Sequence, residues 1–151
     1  MDTIIHEYEI SVAWKNRSLG ILTSPDFEGG LEVATPPPFP DGIANTWSPE
    51  HLFTAAVNSC LMTTFIAIAK RSRFNFSHFT STATGKLSNI DGKYVMSEIV
   101  LQPVLTIDNE ADREKAERIL SKSEAACLIS NSIISKVIVT PEIKISVPAI
   151  Q

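Results

Sequence analysis

The chain has 151 residues, of which 44% are hydrophobic and 20% charged, and its formal net charge is −4. That length suits one domain with its own core, which we assign to residues 1–151. The net acidity argues against nucleic acid as a partner, because phosphate contacts need clustered Lys and Arg. The first residues lack the pattern of a signal peptide, and we read no apolar run as long enough to span a membrane. We therefore expect a cytoplasmic protein with no membrane partner.

The first third of the chain predicts a hairpin and then a long loop. Alternating and β-branched residues predict a strand over 8–14 and a returning strand over 19–23, joined by a polar turn over 15–18. Residues 24–47 hold most of the prolines and half of the glycines. Because proline cannot donate to a sheet, this segment predicts a loop, in which only 31–34 is expected to be a short strand.

A long apolar helix is predicted next. Ser48 suits the N-cap, Pro49 the first turn, and Glu50 the positive end of the helix dipole. The helix is expected to run to about Lys70. Apolar side chains occur on nearly all of its sides, which is typical of a central, buried helix.

The remainder of the chain predicts a mixture of strands and helices. Ser121 and Glu124 have the spacing of a capping box, which predicts a helix start that places Cys127 early in that helix. The order of the elements is typical of an α+β fold and not of alternating βαβ units. The other predicted elements are strands over 79–87, 93–100 and 102–107, a charged amphipathic helix over 110–120, and closing strand segments over 135–147, broken at Pro141.

The two cysteines, Cys60 and Cys127, are the candidate reactive groups. Thiols stay reduced in the cytoplasm, so the pair is catalytic, redox-active or simply buried, and the residues alone leave these alternatives open. An early position in a helix would lower the pKa of Cys127. The three histidines are scattered, so we expect no metal site. His51 lies roughly 13 Å along the helix from Cys60, which excludes a Cys–His pair on this helix.

Helix geometry also constrains Glu50, which precedes Cys60 by ten residues, or about 15 Å of helix. Glu50 can share a site with Cys60 only from another copy of the helix or through a bend. Two helices packed antiparallel across a two-fold axis would place Glu50 of each near Cys60 of the other, so the pattern favours a homodimer. Taken singly, Glu50 is also explained as a first-turn carboxylate, and Arg17 as a solvated turn residue.

Three stretches carry a resemblance to a known family. SPEHLFTAAVNSC (48–60) resembles the signature of the OsmC/Ohr family, the osmotically inducible protein C and organic hydroperoxide resistance proteins. SEAACLIS (123–130) lies where that family has its second cysteine, with Leu128 at a position where proline is common. AWKNRSLGILTS (13–24) resembles the first hairpin of the family, including an arginine three residues before a glycine. The resemblance covers essentially the whole chain.

The resemblance implies an OsmC-like intertwined homodimer, in which antiparallel sheets wrap around a long central apolar helix. In active members the first cysteine, here Cys60, is the peroxidatic thiol, and the second, here Cys127, resolves the intermediate. Arg17 and Glu50 complete the site from the other subunit, with Glu50 holding Arg17. The implied activity is a thiol-dependent reduction of organic hydroperoxides to alcohols, sustained by an external dithiol reductant without a cofactor. The alternative is a non-enzymatic OsmC-like dimer that binds a small apolar ligand or senses oxidants.

Overall fold

The computed structural model describes residues 3–147, and the chain divides into two compact units, residues 1–52 and 53–151. The prediction of a single domain over 1–151 stays a prediction. In chain order the helices and strands are β1 (Ser11–Asn16), β2 (Leu19–Ser24), β3 (Phe27–Val33), α1 (Pro49–Arg71), β4 (His78–Ile90), β5 (Lys93–Ile107), a 3-10 helix (Glu110–Asp112), α2 (Arg113–Ala126), a second 3-10 helix (Ser130–Ser132), β6 (Lys136–Val139) and β7 (Glu142–Ile145).

The first unit contains an antiparallel sheet in the order β1-β2-β3. Its first hairpin is confirmed, and Arg17 takes a positive φ of 49° in the two-residue turn between the strands. The loop prediction over 24–47 is wrong at its start, because β3 begins at Phe27. Ser24 pairs with Phe27, so the intervening Pro25 lies in a tight turn and interrupts no strand.

Helix α1 begins where the sequence predicts. The Oγ atom of Ser48 accepts a hydrogen bond from the backbone N–H of His51 at 3.1 Å, which is the geometry of an N-cap. The prediction of a helix buried on nearly all sides is not met within one chain. Its fully buried stripe repeats every four residues, and outside that stripe even Ile66 is 43% exposed. The members of the stripe are Val57, Leu61, Phe65 and Ala69.

Our expectation that no apolar run reaches membrane-spanning length is also corrected. Helix α1 has 23 residues and contains an 18-residue window with a mean hydropathy of 1.8, so by length and composition it could cross a membrane. A single helix of this kind is weak support for a membrane segment, because the core helix of a soluble protein has the same length and composition.

The second unit is built around the long hairpin of β4 and β5. Its turn is Asp91–Gly92, and both residues have a positive φ, 50° and 82°, as a two-residue type I′ turn requires. The two strands predicted over 93–107 form one strand, β5. Pro103 is tolerated in it because β5 pairs with β6 up to Leu101 and with β7 from Val104, so Pro103 lies in the gap between them. Strands β6 and β7 run parallel to β5.

The core of this unit forms where β5 meets α1. Every second residue of β5 from Ile99 to Ile107 is buried, as expected for a strand with one face inward. These residues pack with the buried stripe of α1 into two clusters. One contains Val57, Leu61, Ile99 and Leu101, and the other contains Phe65, Ala69, Phe74, Leu105, Ile107, Ala116, Ile119 and Leu120.

The predicted helix start at Ser121 is wrong. Ser121 lies inside α2, whose buried residues continue at helical spacing through Ile119 and Ser123. Ser123 donates its hydroxyl hydrogen to the carbonyl of Ile119 at 2.7 Å, so it bonds to the preceding turn and caps nothing. As a result Cys127 follows the end of α2, with φ −64° and ψ 107°, and does not lie in a first turn. A helix N-terminus therefore does not lower its pKa.

Candidate thiol site

Cys60 lies in the middle of α1, beside the buried stripe. Val57, one turn earlier, is fully buried, whereas Cys60 itself is half-buried. Thr64 follows at the i+4 position, and its Oγ1 atom is 3.8 Å from the Cys60 sulfur. The helix thus presents the thiol beside a hydroxyl group at the edge of the core.

Cys127 lies in a turn that its own hydrogen bonds hold in place. The backbone N–H of Asn131 donates to the carbonyl of Cys127 at 3.0 Å, and the Asn131 side chain donates to the carbonyl of Ala125 at 3.0 Å. Ile129 packs on the cluster that includes Val57. The Cys127 side chain is 1% exposed. The turn is therefore anchored on the part of α1 that carries Cys60.

The structure brings the two predicted cysteines together. Both are free thiols, and they lie close enough for each to shift the pKa of the other. The sequence places them on separate elements, one in the middle of α1 and one after α2. Their contact depends on the packing of the turn after α2 against α1.

The environment of Cys60 favours its ionised form. Burial raises the pKa of the Cys60 thiol, but hydrogen bonds to its sulfur outweigh this effect and bring the pKa below its ordinary value. The donors are the backbone N–H of Ile129, the thiol of Cys127, the hydroxyl of Thr64 and the backbone N–H of Leu128. Four neutral hydrogen-bond donors would therefore stabilise a thiolate at Cys60.

Cys127 has the opposite tendency. Burial raises the pKa of the Cys127 thiol above its ordinary value, and the neighbouring Cys60 sulfur raises it further. The hydroxyl of Ser130, 3.3 Å from the Cys127 sulfur, and the backbone N–H of Ser130 oppose this shift without cancelling it. Of the two thiols, Cys60 is therefore the one whose surroundings favour ionisation.

The other two predicted site residues, Arg17 and Glu50, lie in the first unit. Arg17 is exposed, its Nε atom is 3.2 Å from Oδ1 of Asp41, and its Nη2 atom donates to the carbonyl of Gly42 at 3.3 Å. Asp41 thus supplies a carboxylate beside Arg17, and the predicted pairing of Arg17 with Glu50 stays a prediction. Glu50 is half-buried in the first turn of α1.

Sequence reasoning missed several groups that the structure places at the thiols and at Arg17. The i+4 spacing of Thr64 from Cys60 was a usable signal, as was the Pro-Asp-Gly turn pattern that carries Asp41. Nothing in the sequence indicates that Ile129 packs on the cluster of Val57 and Leu61 and so brings the turn after α2 toward Cys60. Within residues 3–147, no group of three or more His, Cys, Asp or Glu side chains is arranged to hold a metal ion.

The family model described as OsmC-like protein matches residues 42–142. That range covers well over half of the chain and includes both cysteines. No curated protein matches the sequence.

Several solved structures resemble the chain over almost its whole length. An OsmC-like protein of unknown function from Vibrio cholerae is 23% identical with a TM-score of 0.79, covering 91% of this chain and 99% of its own. An organic hydroperoxide resistance protein from Elizabethkingia anophelis is 19% identical with a TM-score of 0.73, covering 95% and 100%. The organic hydroperoxide resistance protein OhrB of Bacillus subtilis is 22% identical with a TM-score of 0.63, covering 92% and 98%. At these identities the likeness shows the shared fold.

Proposed function

Since the chain belongs to the family of OsmC-like proteins, we propose that it is a thiol-dependent peroxidase that reduces organic hydroperoxides to alcohols. The observation that carries the proposal is that two reduced thiols, Cys60 and Cys127, lie close enough for each to shift the pKa of the other, with the pKa of Cys60 lowered and that of Cys127 raised. Structures of similar fold are named organic hydroperoxide resistance proteins, which agrees with this chemistry.

The first step is attack by the Cys60 thiolate on one oxygen of the peroxide. An S–O bond forms as the O–O bond breaks, and the alkoxide leaves and takes up a proton to become the alcohol. The sulfur is oxidised by two electrons to a sulfenic acid, and the peroxide is reduced by two. The lowered pKa of Cys60 favours this step, because the thiolate is the nucleophile.

The second step joins the two sulfurs of the chain. Cys127 attacks the sulfur of the Cys60 sulfenic acid, an S–S bond forms, and the hydroxyl group leaves as water with the proton of Cys127. A dithiol then attacks the disulfide and restores both thiols while becoming a disulfide itself. The effect of each cysteine on the pKa of the other supports resolution within one chain, because it requires the two groups to be near each other.

We further propose that the working unit is a homodimer in the cytoplasm, and that Arg17 and Glu50 reach Cys60 from the partner chain. The apolar side of α1 outside its buried stripe supports this, since Met62 and Ile66 are 38% and 43% exposed within one chain. A guanidinium near Cys60 would stabilise both the thiolate and the departing alkoxide.

The test of the function compares Cys60→Ser, Cys127→Ser and a control, Ser59→Ala, that alters an exposed neighbour on the same helix. With cumene hydroperoxide and a dithiol we expect wild type and the control to turn over. Cys60→Ser should show no turnover. Cys127→Ser should consume one equivalent of peroxide and keep a sulfenic acid that a dimedone-type reagent traps.

Thiol counting after one exposure to peroxide supplies the second readout. We expect both thiols of the wild type to be lost, with no intermolecular disulfide on a non-reducing gel. Thiols that resist peroxide in the native protein but react after unfolding would contradict the peroxidase proposal. Oxidation of the thiols by peroxide, without dithiol-dependent turnover of the peroxide, would favour the oxidant-sensing alternative.

Mixed dimers test where Arg17 comes from. Each of the two homodimers, Cys60→Ser and Arg17→Ala, should have low activity. If the guanidinium acts across the interface, mixing the two chains should restore activity, since Cys60 of one chain then meets Arg17 of the other. No recovery in a verified mixed dimer would remove the cross-chain role of Arg17 and leave the thiol chemistry standing.

A further inference from the structure

A serine hydroxyl lies against the sulfur of the buried second cysteine. The Oγ atom of Ser130 donates a hydrogen bond to the sulfur of Cys127 at 3.3 Å. The Cys127 side chain is 1% exposed, whereas Ser130 is half-buried. A buried polar group loses its hydrogen bonds to water, and a donor from the protein replaces them. Ser130 therefore supplies a hydrogen bond that solvent does not reach in to make.

The backbone of the turn after α2 positions this hydroxyl. The backbone N–H of Asn131 donates to the carbonyl of Cys127 at 3.0 Å, which is the i→i+4 bond of one helical turn. Residues three positions apart on such a turn lie on the same side of it, as Cys127 and Ser130 do. The Asn131 side chain donates to the carbonyl of Ala125 at 3.0 Å and ties the turn to the end of α2. The contact is therefore held by the backbone of the turn.

Ser130 also borders solvent. It lines a mainly polar pocket of about 390 Å³ that is open at the surface. Titratable groups face the pair from both helices, Cys60 from α1 and Glu124 from the pocket wall of α2, whereas β6 contributes the apolar Val137. Because a hydroxyl both donates and accepts hydrogen bonds, Ser130 can pass a proton between the buried Cys127 sulfur and this pocket.

We propose that the Ser130 hydroxyl stabilises the thiolate of Cys127, and that Ser130 is thereby a further catalytic residue of the disulfide-forming step. The second part rests on the proposed function, which assigns the resolving attack to Cys127. In that step the Cys127 thiolate forms the S–S bond as the S–O bond of the Cys60 sulfenic acid breaks. The hydroxyl group leaves with the electron pair of the S–O bond, and the proton released from Cys127 completes a water molecule.

The contact matters because burial makes Cys127 a weak nucleophile at neutral pH. Burial raises the pKa of the Cys127 thiol above its ordinary value, and the hydrogen bond from Ser130 opposes that shift. Only the thiolate attacks, so a donor that increases the thiolate fraction speeds the attack. Loss of the Ser130 hydroxyl should therefore slow disulfide formation.

The first experiment titrates Cys127 without peroxide. In the Cys60→Ser background Cys127 is the remaining thiol of the chain, so the ultraviolet absorbance of its thiolate follows its ionisation. The double variant Cys60→Ser/Cys127→Ser supplies the baseline, because ionised tyrosine side chains also absorb there. Ser130→Ala removes the hydroxyl, Ser130→Thr keeps it, and the control Ser121→Ala removes an exposed hydroxyl that lines the same pocket.

We expect Ser130→Ala to raise the midpoint of this titration by about one pH unit, as the loss of one hydrogen bond to a charged sulfur implies. Ser130→Thr and Ser121→Ala should keep the midpoint of the Cys60→Ser parent. Equal midpoints for Ser130→Ala and Ser121→Ala would overturn the inference. An equal shift in Ser130→Ala and Ser130→Thr would also overturn it, because the hydroxyl would then not be the cause.

The second experiment follows the sulfenic acid of Cys60 in chains that keep both cysteines. After one equivalent of cumene hydroperoxide, samples taken over time are trapped with a dimedone-type reagent and measured by mass spectrometry. We expect the sulfenic acid to persist about tenfold longer in Ser130→Ala than in wild type, and in Ser121→Ala to decay as in wild type.

The two experiments separate this inference from the proposed function. A Ser130-dependent titration in a protein without peroxidase turnover would keep the contact with the thiolate and refute the proposed function. Turnover in a protein whose sulfenic acid decays equally fast in Ser130→Ala and wild type would refute the catalytic role of Ser130 alone.

Discussion

The first 52 residues and the remainder of the chain differ in what they bury. In the first unit several large apolar side chains point to solvent in the single chain, for example Ile5, Trp14 and Phe27 at 79%, 76% and 64% exposure. The second unit packs two clusters whose members are at most 7% exposed. The second unit thus builds its own core, whereas the first leaves much of its apolar surface uncovered.

The proposed site residues are divided in the same way. Both cysteines lie in the second unit, where Ile129, two residues after Cys127, packs on the cluster that flanks Cys60. Arg17 lies in the first unit, exposed and paired with Asp41. The two thiols are brought near each other within one unit, while the role that we propose for the guanidinium depends on a partner chain.

The largest expected effect is on the core of the second unit. Leu61 is fully buried, so Leu61→Ala should lower the free energy of unfolding by about 3 kcal/mol through lost burial and the cavity left behind. Ile4 is 76% exposed, and Ile4→Ala should change the same quantity by less than about 0.5 kcal/mol. Urea titrations of both variants measure the difference. Comparable losses of unfolding free energy in the two variants would mean that apolar side chains of the first unit are buried as fully as those of the second.

Selective alkylation should sharpen the contrast between the two thiols. Only the thiolate reacts, and the pKa of Cys60 is lowered whereas that of Cys127 is raised. At neutral pH we expect iodoacetamide to modify Cys60 more than about tenfold faster than Cys127. Raising the pH should reduce the ratio of the two alkylation rates, because Cys127 then begins to ionise. Peptide mapping of partly alkylated protein gives both rates, and a faster reaction at Cys127 would reverse the assigned roles.

The exposed apolar surface of the first unit predicts a concentration-dependent stability. If a second copy covers it, each tenfold dilution should lower the stability by about 1.4 kcal/mol, which appears as a lower midpoint of thermal unfolding. Phe27→Ser should lower the midpoint at a given concentration if Phe27 lies in that interface. Lys93→Ser, an exposed substitution at the β4–β5 turn, is the control. A midpoint that is constant over a hundredfold dilution would oppose the homodimer.

The smallest effect on stability is expected from changes to the ion pair of Arg17 and Asp41. The side chains are 55% and 56% exposed, so Asp41→Asn should change the free energy of unfolding by less than about 0.5 kcal/mol. If Arg17 also serves Cys60 of a partner, Asp41→Asn should alter the pH profile of Cys60 alkylation, whereas Arg17→Ala should move that profile to higher pH. A profile indifferent to both substitutions would place Arg17 outside the site.

Short sequence patterns correctly predicted those features, such as helix caps and tight turns, whose geometry depends on residues a few positions away in the chain. The Ser48 cap and the Arg17 turn are confirmed, because a cap and a two-residue turn are decided by side chains within a few positions. Ser121 misled for the same reason. A capping-box spacing marks a helix start only where the helix does not already continue from before it, and the buried stripe of α2 runs past Ser121 to Ser123.

The candidate reactive groups could be predicted from the sequence, and their surroundings could not. The text from Ser48 to Cys60 and the later Cys127 were enough to indicate the family and the thiol chemistry. Tertiary packing decided which groups surround each sulfur, since the turn after α2 packs on α1 through the core cluster around Leu61. Tertiary packing therefore also decided the direction in which the pKa of Cys60 shifts. Burial and hydrogen bonds between residues far apart in the chain produce this shift, and the sequence pattern does not show them.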